Sequence, residues 1–440
     1  MFWRSKVCQS ESSIDKKYFY ESPFTAKGFY NFESTSQLPR HRWYYLKEGF
    51  SASLVEEAIT RNLTKTKANL HILEPFCGTG TTPLTAALRG HFCTAIEVNP
   101  FLAFTARVKS ASGRWREKQF LSNLDEVVRE AGTREAISPL EGLSTFTEGN
   151  GLSKWLFNKS VLRRFTSLMM AIERFAGTYA DAMKLSAIVA AYNCCNAKRD
   201  GKALRYKPNW REIGYSGKDL VSQFHLHALS ILQDVLEQPI DPKYEPVIFT
   251  GDSREELSAL EDDKFDLVIT SPPYLNSFDY SDIYRPELFL GEYVKDNDEL
   301  KEIRLATVRS HIQVKWPEKV SFQSTLLNPV LEDLDESASL WDKRIPLMVR
   351  AYFDDMWRIF KALKPKVRTN GQVWLVVSTS AYGGVHIPVD FIVADAGHQA
   401  GLSLEGIYRL RHLRAAGQQW KQFKTKTRPL RESLIIMSKG

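Results

Sequence analysis

Ser271-Pro272-Pro273-Tyr274 closes the apolar run Leu267-Val268-Ile269 with two consecutive prolines. Proline fixes φ and has no N–H, so neither a helix nor a strand ladder continues through this tetrapeptide. The run before it reads as a short parallel strand buried on both faces. The tetrapeptide is then a stiff turn at that strand's carboxyl end, where open α/β sheets bind their ligands. Its residue types suit one kind of chemistry. Ser271 offers an oxygen acceptor, Pro272 a carbonyl acceptor held by the stiff Pro273, and Tyr274 a flat ring. Two acceptors beside an aromatic face fit a planar group carrying an exocyclic amine, such as a nucleobase. The plainer alternative is a Pro-Pro turn that only ends a strand, with Tyr274 in the core.

A second stretch, Glu74-Pro75-Phe76-Cys77-Gly78-Thr79-Gly80-Thr81-Thr82, follows the apolar strand begun by His71. Gly78 and Gly80 let the backbone turn tightly and approach a ligand. Leu84, Ala87 and Leu88 then repeat at helical spacing, and the N-terminus of that helix offers N–H groups to an anion. Pro83 stands where the dinucleotide fingerprint has its third glycine, and no Gly-Lys-Ser/Thr follows, which excludes a phosphate-cradling P-loop. Cys93 to Glu97 reads as the next strand. Its terminal carboxylate lies 19 positions beyond Gly78, the distance at which such folds set an acid on ribose hydroxyls. Asn99-Pro100 turns the chain after it.

Together these two motifs resemble those of the S-adenosylmethionine-dependent DNA amino-methyltransferases, which methylate cytosine N4 or adenine N6. The glycine stretch is similar to their methionine-binding loop and Ser271 to Tyr274 to their catalytic tetrapeptide, in the form most typical of the cytosine enzymes. The resemblance covers about residues 41–110 and 247–440. It implies a Rossmann-like α/β fold, a seven-stranded sheet with an antiparallel last strand, and S-adenosylmethionine as cofactor. It implies cofactor contacts from Glu74, Phe76, Gly78, Gly80, Thr81, Glu97 and Asn99, from Asp252 and Ser253 after a third strand starting at Val247, and from Phe50 and Ser51. The partner it implies is duplex DNA with one base flipped out, in restriction-modification or phage defence. Any restriction subunit would be another chain.

Between the second and third strands the expected rhythm of a doubly wound sheet stops. Val161, Leu162, Phe165, Leu168 and Ile172 repeat at helical spacing, as do Leu185, Ile188 and Val189, then Phe224, Ala228, Ile231 and Val235. Three segments result: 1–113, an N-terminal arm and the first half of the methyltransferase domain; 114–245, a helical insertion; and 246–440, the second half. A smaller insertion at about 291–345 has no legible purpose. Gly113 is the expected end of a helix, and Ser53 with Glu56 the expected capping box of the helix before the glycine loop. Asn370-Gly371 is the expected turn into another buried strand.

Two basic stretches point to phosphate backbone and bases. Lys198, Arg199, Lys202, Arg205, Tyr206, Lys207, Trp210 and Arg211 read as an exposed loop in the large insertion. Trp420, Lys421, Lys424 and Lys426 lie in Arg411–Arg431, a run without acids between the two closing strands. Either could instead be a merely solvated loop.

Composition agrees. The 440 residues carry a net charge of +7, and 43% are hydrophobic, enough for a sizeable core and mildly in favour of a polyanionic partner. The cysteines lack metal-ligand spacing, so no metal is expected, and they read as reduced and intracellular; the resemblance implies a cytoplasmic, nucleoid-associated protein. No apolar run approaches a membrane span. Three readings remain: a DNA amino-methyltransferase, cytosine N4 before adenine N6; an RNA base methyltransferase on the same fold; and a catalytically idle DNA-binding or regulatory subunit.

Overall fold

The computed structural model describes residues 19–21, 35–46, 49–66, 68–133, 135–149, 151–201, 203–313, 320–413 and 430–440. A central sheet runs in the order β1-β11-β12-β8-β7-β2-β3-β6. These strands are β1 (Phe19–Glu21), β2 (His71–Glu74), β3 (Phe92–Glu97), β6 (Val247–Thr250), β7 (Phe265–Thr270), β8 (Val367–Ser378), β11 (Ser403–His412) and β12 (Arg431–Ser438). From β6 to β8 every pairing is parallel. β12 runs antiparallel to both β8 and β11. That is the seven-stranded sheet with a reversed last strand that the sequence predicts. An eighth strand is added at its edge, where Phe19–Glu21 pairs in parallel with Ile407–Arg409. Three residues carry no readable period; stacking of Tyr20 on Tyr408 helps hold them there.

The reversal of β12 has a consequence for the site. β7, β8 and β11 end at one edge of the sheet, and β12 begins there. Four strand ends therefore meet at the carboxyl edge, the place where such sheets bind ligands.

Helices cover both faces. α1 (Ala52–Thr66) packs on β7 and on α2 (Thr81–Leu88), and α3 (Pro100–Ser110) lies against β3 and β6. Between α3 and β6 come α4 (Glu117–Thr133), α5 (Lys159–Ile172), α6 (Thr178–Asn193), the hairpin β4–β5 (Ala197–Asp200, Ala203–Tyr206), α7 (Trp210–Ile213) and α8 (Gly217–Glu237). Their apolar faces form one buried cluster that runs on through Trp43, Tyr44, Phe101 and Leu102. After β6 come α9 (Ser253–Glu256), α10 (Tyr280–Ile283), α11 (Arg285–Leu290), α12 (Asn297–Ala306), α13 (Asn328–Glu336), α14 (Ile345–Leu363), the small hairpin β9–β10 (Ser380–Tyr382, Val385–Ile387) and α15 (Val389–Gln399). α14 and α15 bury Tyr352, Phe353, Phe360, Ile392 and Val393 against the other face of the sheet.

Four local expectations need correction. Ser51, not Ser53, caps α1, its hydroxyl accepting from Leu54 N–H at 3.3 Å. α3 stops at Ser110 with Ala111 as its cap, ahead of Gly113. Asn370, at φ 64°, and Gly371 sit inside β8 at a register shift rather than in a turn before it. Lys198 to Tyr206 is a β-hairpin turning at Gly201, not an irregular loop.

Candidate active site

β2 and β7 are direct neighbours, pairing Ile72 with Leu267 and Leu73 with Val268. The loops that leave them therefore open on one cleft, with about 830 Å³ of empty space. Ser271, Pro272, Pro273 and Tyr274 line one side of it; Phe76, Gly78, Glu97, Asn99, Asp252 and Ser253 line the other.

On the glycine side the geometry is set by Glu97. Its carboxylate accepts from Gly78 N–H at 2.8 Å and from Asn99 N–H at 2.9 Å. Burial pushes its pKa up to about 7, and those backbone donors hold it from rising further. Gly78 stands at φ 51°, and a Cβ there would come within 2.8 Å of Leu46 Cδ2. The glycine is thus required both by its backbone and by the strap that Leu46 lays over the loop. Asn99 Oδ1 caps α3, accepting from Phe101 and Leu102 N–H. Its Nδ2 is buried and has no hydrogen-bond partner among the described residues, which makes it a donor available to a polar ligand. Asp252 caps α9 and is gripped by the Arg254 guanidinium, Nε to Oδ1 at 2.9 Å. The Ser253 hydroxyl donates to the Pro75 carbonyl, tying the third loop to the first.

On the proline side, the Ser271 hydroxyl donates to the Val376 carbonyl at 3.2 Å, leaving its lone pairs able to accept. The Tyr274 hydroxyl donates to Glu432 Oε1 at 2.8 Å. Burial, and then the charge of Glu432, push the phenol well above its ordinary pKa, so the ring stays neutral.

Five expected cofactor residues do not line the cleft. Glu74 is buried beneath it, accepting from Phe76 N–H at 3.0 Å and Thr82 at 2.9 Å, and burial lifts its carboxyl to about 8. It shapes the loop rather than facing a ligand. Gly80, at φ 87°, faces Ala106 of α3, whose Cβ a side chain would meet at 2.9 Å. Thr81 is buried in the first turn of α2, Ser51 is the α1 cap, and Phe50 packs with the apolar face of α1.

Two of the expected DNA-binding residues are engaged inside the protein instead. Arg199 pairs with the buried Glu287 and lies over the rings of Tyr192, Tyr284 and Tyr44, 4.1, 4.5 and 5.4 Å from their centroids. Strand alternation turns it inward, an orientation that reading the stretch as a loop could not give. Trp210 is buried edge-on against Trp155. Tyr206 is half-buried beside it, Lys207 bonds the Asn193 carbonyl at 2.9 Å, and Arg211 donates to the Ser153 carbonyl. Lys198 and Arg205 remain on the exposed face. Lys202, Trp420, Lys421, Lys424 and Lys426 lie outside the described residues.

The sequence missed part of the wall. Leu46, Tyr280, Ser281, Ile303, Ala306, Thr307 and Val308 also line the cleft. Arg304 pins the last four through Asp279 at 2.6 Å, and Arg254 reaches the Ala306 carbonyl at 3.2 Å. Tyr280 is the exception, because the stretches Asn276–Tyr280 and Tyr284–Phe289, close after the tetrapeptide, read in the sequence as extensions of the site's rim. Among the described residues no group of His, Cys, Asp and Glu could hold a metal ion, the four described cysteines are free and buried, and no helix is long and apolar enough to cross a membrane.

A Rossmann-like sheet with its last strand reversed, a glycine loop answered by Glu97, and a Ser-Pro-Pro-Tyr turn on the same cleft define the class of S-adenosylmethionine-dependent methyltransferases. No family model matches the chain. It is 26% identical to the Type II methyltransferase M.BsoBI of Geobacillus stearothermophilus, over 97% of this chain and 91% of that one. It is 23% identical to the Type II methyltransferase M.AvaI of Nostoc sp., over 89% and 85%. Among solved structures it is similar to a putative DNA modification methylase from Thermus thermophilus (16% identity, 43% of this chain and 52% of that one, TM-score 0.22). It is also similar to the rRNA methyltransferase aviRa from Streptomyces viridochromogenes (11% identity, 89% and 85%, TM-score 0.28). Nothing rests on likenesses that slight. The near full-length match is thus to two Type II methyltransferases, in accord with the paired motifs.

Proposed function

We propose that this protein methylates the exocyclic amine of a base flipped out of duplex DNA, cytosine N4 in preference to adenine N6, as the modification enzyme of a restriction-modification system. The observation that carries the reading is the opening of the Gly78–Glu97 and Ser271–Tyr274 loops on one cleft. Its full-length relatives are named Type II methyltransferases. Ser271 in the first position of the tetrapeptide favours cytosine.

The cofactor fits the residues present. Glu97 would accept from ribose hydroxyls, the unpartnered Asn99 Nδ2 would donate to the nucleoside, and Asp252 with Ser253 would meet the adenine end. When bound, S-adenosylmethionine supplies an electrophilic methyl group on a sulfonium.

The chain's own part is positioning. An exocyclic amine is a weak nucleophile because its lone pair is delocalised into the ring. Ser271 Oγ and the Pro272 carbonyl, accepting its two N–H bonds, favour a more tetrahedral nitrogen with its lone pair freed. The hydroxyl proton of Ser271 is already engaged by Val376, so its oxygen meets the amine as an acceptor. Tyr274 offers its ring face to the base. Its proton is committed to Glu432, so the phenol is a platform and not a base. Orientation and fixed dipoles supply most of the acceleration. A base inside a duplex cannot enter such a cleft, hence the flipping. The helical segment 114–245 serves target recognition in this reading, supported by the packing of β5 on α10 at the rim of the cleft.

The test combines Ser271→Ala and Tyr274→Ala with mass spectrometry of digested DNA. The wild type should yield N4-methylcytosine. Each variant should lose methylation about 100-fold or more while binding S-adenosylmethionine as the wild type does by calorimetry. A fully active double variant, or methylated RNA in place of DNA, contradicts the proposal.

A further inference from the structure

We propose that Glu432 is a positioning residue for the reaction, fixing the ring of Tyr274 against the target base from across two strands. The inference rests on the methyltransferase reading and deepens it. Tyr274 follows β7, whereas Glu432 is the second residue of β12, two strands away. The reversed direction of β12 brings its start to the edge where β7 and β8 end, with Glu432 beside Ser378 in the register. The phenol reaches over the end of β8 and donates to Glu432 Oε1 at 2.8 Å.

The carboxylate is itself held. Glu432 is 6% exposed, and Arg411 of β11 donates to its Oε2 through Nε at 2.8 Å. The second guanidinium nitrogen reaches Oε1 at 3.3 Å. A buried carboxylate flanked by a guanidinium and a phenol has its acceptor positions directed by both partners. The phenol can rotate about its Cα–Cβ and Cβ–Cγ bonds unless its tip is tied. Tying the tip fixes the plane of the ring, and that plane is what a flipped base would stack on. The main cause of the raised phenol pKa is burial, with the Glu432 charge next; both keep the proton on the phenol, as a tether of this kind needs.

The arrangement separates two properties that a merely structural residue would move together. Cofactor groups sit on the Glu97 and Asp252 side of the cleft, away from the tether. Glu432→Ala should therefore lower the single-turnover methylation rate about 30-fold or more and leave the S-adenosylmethionine Kd within about twofold. Glu432→Gln keeps an acceptor carbonyl for the phenol and should recover most of the rate, to within about fivefold of wild type. Tyr274→Phe keeps the ring but lacks the tether, and should fall with Glu432→Ala; combining the two should cost little more than either alone. Arg411 is partly exposed and can turn to solvent, so Glu432→Ala has no charge left stranded inside. Should that variant still fail to fold, Tyr274→Phe and Glu432→Gln decide alone. A Glu432→Ala rate within twofold of an active wild type overturns the inference while the function stands. So does a Tyr274→Phe enzyme at full rate, or a rate loss matched by an equal loss of cofactor affinity. A wild type that methylates no base removes the function and the inference together.

Discussion

Glu97 sits at the junction of fold and chemistry, because one carboxylate closes the glycine loop and would also receive the cofactor. Burial lifts its pKa to about 7, against the ordinary carboxylate value near 4.5. Folding therefore favours the protonated form, and the stability it contributes falls as pH rises from about 4.5 through 7. Cofactor binding runs the other way, since ribose hydroxyls need the ionised acceptor. With the competent form set by a pKa of about 7, S-adenosylmethionine should bind about tenfold more tightly at pH 8 than at pH 6. Calorimetry across that range checks it, and Glu97→Gln should flatten the profile; a flat wild-type profile would show that Glu97 is not the acceptor. The sequence made this residue legible because its spacing from Gly78 is imposed by the fold. Glu74 was legible as part of the motif but not in its role. Its neighbours in sequence are the cleft-facing ones, and nothing in a linear reading tells a carboxylate under a loop from one above it.

At the scale of elements, the short strap Arg40–Leu46 joins the helical insertion to the cofactor loop. Asp234 of α8, fully buried, accepts from Arg40 N–H and Trp43 Nε1, both at 2.8 Å, and from the Arg42 guanidinium. His227 of the same helix bonds the Trp43 carbonyl at 2.6 Å, and Lys109 of α3 donates to the Tyr44 carbonyl at 2.8 Å. The strap then lays Leu46 against Gly78. Asp234→Ala leaves buried donors without a partner, and should cost about 3–5 kcal/mol of stability by chemical denaturation. It should also weaken cofactor binding severalfold, although Asp234 is not in the cleft. Undiminished affinity in a destabilised variant would mean that the strap does not govern the loop. This network was invisible in the sequence, since its partners are some 190 positions apart and share no period. The strands of the sheet were visible, because parallel strands buried on both faces read as unbroken apolar runs. The segment near 303–308 was not, since Ile303 and Ala306 end the short, charge-rich helix α12 and Thr307 and Val308 lie beyond it.

For the molecule as a whole, the carboxyl edge of the sheet is the one that would face the target under the proposed function, and the hairpin β4–β5 stands beside it through its packing on α10. Its alternation sorts the basic stretch into two faces. Arg199, Leu204 and Tyr206 point inward, while Lys198, Asp200, Ala203 and Arg205 are exposed. Lys198 and Arg205 are direct cross-strand partners, and like charges placed opposite each other cost a hairpin stability. Asp200 pairs with Arg205 at 3.0 Å but leaves Lys198 and the +7 chain without full compensation. A polyanion would relieve that repulsion, which is a physical reason to find the pair on a surface that meets phosphate. Replacing both with alanine should lower the magnitude of the slope of log K against log salt by about 1.8 on duplex DNA, each phosphate no longer neutralised accounting for about 0.9. The folded protein should be no less stable, and S-adenosylmethionine should bind unchanged. Affinity measured by fluorescence anisotropy from low to moderate salt reads this directly. A slope equal to that of the wild type would move the DNA off this hairpin.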